Sequence, residues 1–264
     1  AGVNAGNSIA SGGIDNTVVG DEAGTAITTG RFNTLIGKEA GDALNDADSN
    51  VAIGKGALSS DTQGSQSTAI GTLALTAQNF TSATDAYNVA VGAEAGAAVT
   101  TGVQNTLIGG LAGDAITSAA NNTAVGYLSL SATTTGAENT ASGKQSLTAN
   151  TTGANNTAHG SRALGSNTTA SNNTAVGTDA LLLNTTGASN VAVGVGASDA
   201  NTDGDSNIAV GVGALGSDTR GNFSTAIGHA ALNSQNTTND TDMYNTAVGY
   251  LAGTLVTTGV QNTL

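Results

Sequence analysis

The sequence predicts an all-β protein, a parallel β-solenoid (β-roll) of coils about 17 residues long. Three observations predict it. A motif of the form NTAVG returns every 17 residues, as at Asn173 and again at Asn190. Its fifth residue is Gly in all fourteen complete units, from Gly20 to Gly249. Aromatics make up 3% of the chain, Trp, Pro and Cys are absent and Gly reaches 38 residues, so the large side chains of a globular core are missing. Only 9% of residues are charged, which also differs from an ordinary disordered chain.

Units open at Asn16, Asn33, Asn50, Ser67, Asn88 and onward to Asn245, and two of them run to 21 residues. Both long coils, 67–87 and 224–244, open with Ser, and VTTGVQNTL recurs at 99–107 and 256–264. A longer period is therefore laid over the short one. Residues 1–15 do not fit the unit and are read as an irregular or variant coil; 16–264 is read as one continuous solenoid region. The irregular start and the stop within a unit at Leu264 are read as a segment of a longer protein.

Within a unit, the first five residues alternate and carry β-branched side chains, so they predict a short strand. The Gly at position five predicts positive φ or a close backbone approach. A second strand is expected around Ala180-Leu181, and Thr185-Thr186-Gly187 turns the chain back. Like strands of successive coils would pair in parallel at ~4.8 Å. Position one, nearly always Asn, is expected to form a ladder of amides from coil to coil. Position four is Val or Ile in twelve of fourteen units and is expected to face the core. Position three, mostly Ala with Val18, Leu35 and Leu107 as exceptions, is then left facing outward and needs a neighbour. Ala124, Ala141, Ala175 and Ala192 are accordingly expected at a contact between chains, in a homo-oligomer and specifically a trimer.

Position nine is Leu in eight units, including Leu181, and position twelve is then polar. Where position nine is Gly (Gly24, Gly41, Gly96, Gly113, Gly253), position twelve is apolar (Ile27, Leu44, Val99, Ile116, Val256). The exchange predicts one interior volume per coil, filled from one side or the other. On that reading Leu181→Gly loses stability and Asn184→Val restores part of it.

NTAVG, NVAIG, STAIG and NIAVG, each followed by two variable residues and Ala, resemble the head repeats of YadA-like trimeric autotransporter adhesins. The 17-residue form with NTTG is similar to repeats of phage tail-fibre proteins and bacterial surface proteins. The resemblance covers 16–264. It implies a parallel β-roll trimer on a cell or virion surface, a fibre that projects or forms a binding end toward a host-cell or surface receptor.

Chemistry is sparse. The net charge of -13 comes from 19 acids and 6 scattered bases, leaving no basic stripe for nucleic acid. No apolar run reaches membrane-spanning length. Two His, no Cys and no nucleophile–base spacing argue against an enzyme. Asp46 and Asp48, with Asp203 and Asp205 at the same turn of another coil, are weak calcium candidates, since a complete calcium loop is lacking; Asp also suits turns for local reasons. His159 and Ser142 share position four and are expected to be a buried hydrogen-bonded pair, while His229 is expected to face solvent. Asn150, Asn167 and Asn184 open Asn-x-Thr sequons. The long coils are expected to bulge outward at the second turn, with Asp85, Tyr87, Asp242 and Tyr244 as candidates for contact with a partner. The reading is a structural extracellular fibre or filament shaft without catalysis. The alternative is ice binding through the Thr column at position thirteen, which is similar to ice-binding surfaces.

Overall fold

The computed structural model describes residues 2–264, all in strands, turns and bends, with no helix among them. It is a parallel β-solenoid of about fourteen turns, with strands one 17-residue period apart. Two compact units divide the chain, one ending at Thr135 and the other spanning Gly136–Leu264. The first holds β1 (Thr17–Val19), β2 (Thr34–Ile36), β3 (Val51–Ile53), β4 (Gly64–Ser65), β5 (Thr68–Ile70), β6 (Thr84–Asp85), β7 (Val89–Val91), β8 (Thr106–Ile108) and β9 (Thr123–Val125). The second holds β10 (Thr140–Ser142), β11 (Thr157–His159), β12 (Thr174–Val176), β13 (Val191–Val193), β14 (Ile208–Val210), β15 (Gly221–Asn222), β16 (Thr225–Ile227), β17 (Thr241–Asp242) and β18 (Thr246–Val248).

Within each unit the three-residue strands occupy positions two to four and pair in parallel one coil on, as Thr174 with Val191 and Ala175 with Ala192. The register crosses both long coils unchanged: Thr68 pairs with Val89, and Thr225 with Thr246. Residues 2–15 hold turns only, and they bond to the coil that follows through Gly6 N–H to Ala23 O (3.0 Å) and Ala10 N–H to Thr28 O (2.9 Å).

The strand expected around Ala180-Leu181 does not form. Asp179 and Leu181 take φ of 60° and 51°, so the chain turns twice where a strand would run straight. Left-handed backbone is costly for a residue with a Cβ, yet Leu occupies it in all eight coils of its type. Gly in the same column elsewhere is the sequence sign of that conformation. At position five both expected reasons for Gly hold. Gly177 has φ 134°, and a Cβ added there would lie 2.5 Å from the carbonyl oxygen of Gly194 in the next coil.

The faces of the strand are the reverse of those expected. Position three is the interior: Ala124, Ala141, Ala175 and Ala192 are all 0% exposed. Position four is outside, with Val176 at 37% and Ile108 at 39%. The expectation that these Ala residues meet another chain is therefore overturned. The cause is the thinness of the coil. Ala at position three faces a second buried Ala column at position eight (Ala163, Ala180, Ala197), and one larger residue fills what remains. With Leu at position nine, a Val or Ile at position three would overpack so narrow a space; Val18, Leu35 and Leu107 occur there only in coils whose position nine is Gly.

That larger residue is exchanged as the sequence suggested. Leu181 is 0% exposed at position nine, and Ile27, Leu44, Val99 and Ile116 are 0% exposed at position twelve. A Cβ placed on Gly41 would come within 2.8 Å of both Leu44 Cδ1 and Leu35 Cδ2. One on Gly113 would meet Ile116 and Leu107 equally closely, at 2.8 Å. Leu35 and Leu107 at position three thus share the same interior.

Position one forms the expected amide ladder. Asn173 N–H donates to Asn156 Oδ1 (3.0 Å) and Asn190 N–H to Asn173 Oδ1 (2.9 Å), while Asn173 Nδ2 crosses its own coil to Gly187 O (2.9 Å). A second buried ladder occupies position twelve, where Asn167, Asn184 and Asn201 donate in turn to Asn150, Asn167 and Asn184 at 2.8–3.0 Å.

Candidate functional site

The two long coils carry the candidate contact residues, and each is built around a buried carboxylate. In ordinary coils the amide at position one joins neighbours. Ser67 has no amide, and Gln78 at position twelve supplies one. Its Nε2 donates to Ser67 Oγ (3.0 Å) and to Asp61 Oδ2 of the preceding coil (2.6 Å), and its Oε1 accepts from Asn88 Nδ2 of the following coil (2.9 Å). Asp61, 0% exposed, also accepts from the backbone N–H groups of Gly64 and Phe80, both at 3.0 Å. Three donors satisfy this carboxylate without a cation. Asp218, Gln235, Ser224 and Asn245 repeat the arrangement in the second unit. The sequence reading missed this network, although Asp61–Gln78 and Asp218–Gln235 recur at matching places and would have disclosed it.

The extra residues do bulge outward at the second turn. Thr81, Ser82 and Ala83 are exposed, as are Thr238, Asn239 and Asp240, and the chain returns through β6 on β4 and β17 on β15. Asp85, Tyr87, Asp242 and Tyr244 are all exposed. In the second loop Tyr244 stacks on Phe223 with centroids 5.3 Å apart, and its hydroxyl donates to Asp242 Oδ2 (3.2 Å). Asn222 Nδ2 bridges Asp240 and Asp242. The first loop has Gln66 where the second has Phe223, so the four candidates form two separate and unequal surfaces.

The calcium candidates do not converge. Asp203 is clamped by Arg220, which holds its carboxyl below the usual carboxylate range. Asp205 accepts from Ala188 N–H (2.6 Å) and Asp48 from Arg31 N–H (2.7 Å), while Asp46 is exposed. Among the described residues no group of three or more His, Asp or Glu side chains is gathered as a metal would need. No pocket opens either. His159 is exposed, because its column lies outside; the expected buried pair with Ser142 is thereby corrected. His229 is exposed and stacks with Tyr250 at 5.4 Å. The sequon residues Asn150, Asn167 and Asn184 are 0% exposed; Asn167 and Asn184 donate along the second ladder and Asn150 donates to Gly153 O (3.0 Å), so in the folded coil their nitrogens are out of reach of a glycosyl donor.

The Thr column at position thirteen is bonded inward. Thr168 and Thr185 hydroxyls donate to the carbonyls of Thr185 and Thr202, one coil on, at 3.0 and 2.9 Å. At position ten Asp114 has a buried Oδ1 without a partner, and burial, followed by the charge of Glu94, pushes its carboxyl up. An acid raised in the folded state binds more protons folded than unfolded, so its contribution weakens folding as pH rises above the ordinary carboxylate value. Asp114→Asn is expected to raise the melting temperature at pH 8 relative to the parent and to narrow that gain toward pH 4, as read by thermal melts across the range.

The outward side of the three-residue strands has one character throughout. Position two (Thr, with Val51, Val89, Val191 and Ile208) and position four (Val or Ile, with Ser142 and His159) form two parallel ranks. No Lys, Arg, Asp or Glu occurs in either rank. Comparison with family models, curated proteins and solved structures gives no match.

Proposed function

We propose that the chain is a structural segment of an extracellular fibre or filament, without catalysis, whose copies associate side by side through the outer sheet face, as a homotrimer. The observation that carries the reading is the charge-free face on a chain of net charge -13. Copies so alike in sign repel through most of their surface, and the two uncharged ranks, one mostly Thr and one mostly Val or Ile, are where they can approach without like charges meeting. Val19, Ile36, Val176, Val193 and Ile227 supply the apolar contact there, each more than a third exposed in the single chain. The resemblance to trimeric adhesin and tail-fibre repeats supports the same reading, and on it the exposed long-coil loops are the places for a receptor to bind.

The test is the mass in solution of the parent chain and of Ile36→Lys and Val193→Lys. A trimer for the parent and monomers for the variants, with unchanged far-ultraviolet circular dichroism, is the expected result. A parent that stays monomeric at high concentration overturns the reading. The ice-binding alternative would use the position-thirteen hydroxyls, several of which, as at Thr168 and Thr185, donate to backbone carbonyls one coil on.

A further inference from the structure

His159 is the one ionisable side chain in the outward ranks. It is exposed, lies in register between Ser142 and Val176, and shares its outward face with Thr157. We propose that His159 makes the association of copies sensitive to protons, so that the assembly forms when the imidazole is neutral and loosens when it is charged. This rests on the self-association proposed above.

The argument is one of missing counter-charges. The strands on either side of β11 present Thr140, Ser142, Thr174 and Val176 to the same face, and none of these ionises. The nearest ionisable groups along the chain lie in the flanking turns: Glu138 before β10, and Lys144 and Arg162 after β10 and β11. The guanidinium of Arg162 is already held by Asp179 at 2.6 Å. Rank against rank, a second copy brings no acid to meet the imidazolium, because neither of its ranks holds a carboxylate at any rung; its acids lie in the turns beside the ranks, as Asp21, Glu22, Glu39, Glu94 and Asp179 do after the strands. A proton on His159 in the closed contact would therefore be a desolvated charge without a partner. By linkage the separated chain binds that proton more readily, so association weakens as pH falls.

The experiment is sedimentation velocity of the full chain at pH 7.5 and 5.0, for the parent, His159→Val and His159→Lys, with circular dichroism at each pH. The parent is expected to associate at pH 7.5 and to weaken by more than about tenfold in Kd at pH 5.0. His159→Val should keep its affinity at both pH values, and His159→Lys should be weak at both. If the parent associates equally at the two pH values, or if His159→Val loosens at pH 5.0 as the parent does, the proton sensitivity is overturned and the association stands. A parent that is monomeric throughout removes the association itself, and this inference with it.

Discussion

Ala175→Glu is expected to unfold the coils around it, at a cost of about 5 kcal/mol or more. The side chain at position three points into an interior that is 0% exposed and lined by Ala158, Ala192 and the Ala180 column. A carboxylate there has neither room nor a counter-charge, and overpacking adds to desolvation. Val176→Glu, one residue along and 37% exposed, should change the stability of the single chain by less than about 1 kcal/mol. Urea unfolding of both variants followed by circular dichroism reads the difference. If Val176→Glu unfolds the chain while Ala175→Glu is tolerated, the two faces have been assigned the wrong way round.

Leu181→Gly is expected to lose roughly 2–5 kcal/mol through the empty interior volume. The loss should not exceed that of Leu181→Ala by much, since Gly relieves a backbone held at φ 51°. The partner substitution Asn184→Val, which the sequence pattern suggested as a rescue, is now expected to fail. Asn184 donates to Asn167 Oδ1 and accepts from Asn201 Nδ2, and losing it orphans both buried groups at about 1–3 kcal/mol each. The exchange should fare better three coils back, in the coil that adjoins a Gly-type coil. Leu130→Gly with Thr133→Ile places an apolar side chain in the column of Ile116 of the adjoining coil and should be more stable than Leu130→Gly alone, though only in part, because buried Thr133 gives up an interaction of its own. Urea midpoints of the four variants decide between a shared volume that needs apolar neighbours and no shared volume at all.

What was legible in the sequence is what each coil repeats from the last. The period, the Gly at position five, the Asn ladder and the exchange between positions nine and twelve all follow from a residue meeting its own counterpart 17 residues on. What was hidden is what happens within one coil. Val and Ile were placed inside because larger apolar side chains usually are, but a coil this thin inverts that preference. The sign was present: Leu35 and Leu107 at position three fall in coils whose position nine is Gly, so they had to share the interior with it. Leu181 in left-handed backbone misled for a related reason. Leu avoids that region, and only the glycines of the same column gave it away. The same inversion moved His159 from an imagined core to the surface. The long coils were visible from their length and from Ser67 and Ser224, whereas the network beneath them depends on residues in three successive coils.

That network bears on how such a chain can be inherited. Ordinary coils all open with the same Asn, so one coil can be duplicated or lost and the flanking ladder closes again. A long coil lacks that freedom. Gln78 without Asp61 before it would leave a buried amide hydrogen unmet, and Asp61 without Gln78 after it would leave a buried carboxylate short of a donor. The smallest heritable unit that includes a loop is therefore two coils, the loop and its predecessor. The copy at Asp218 and Gln235 has that composition.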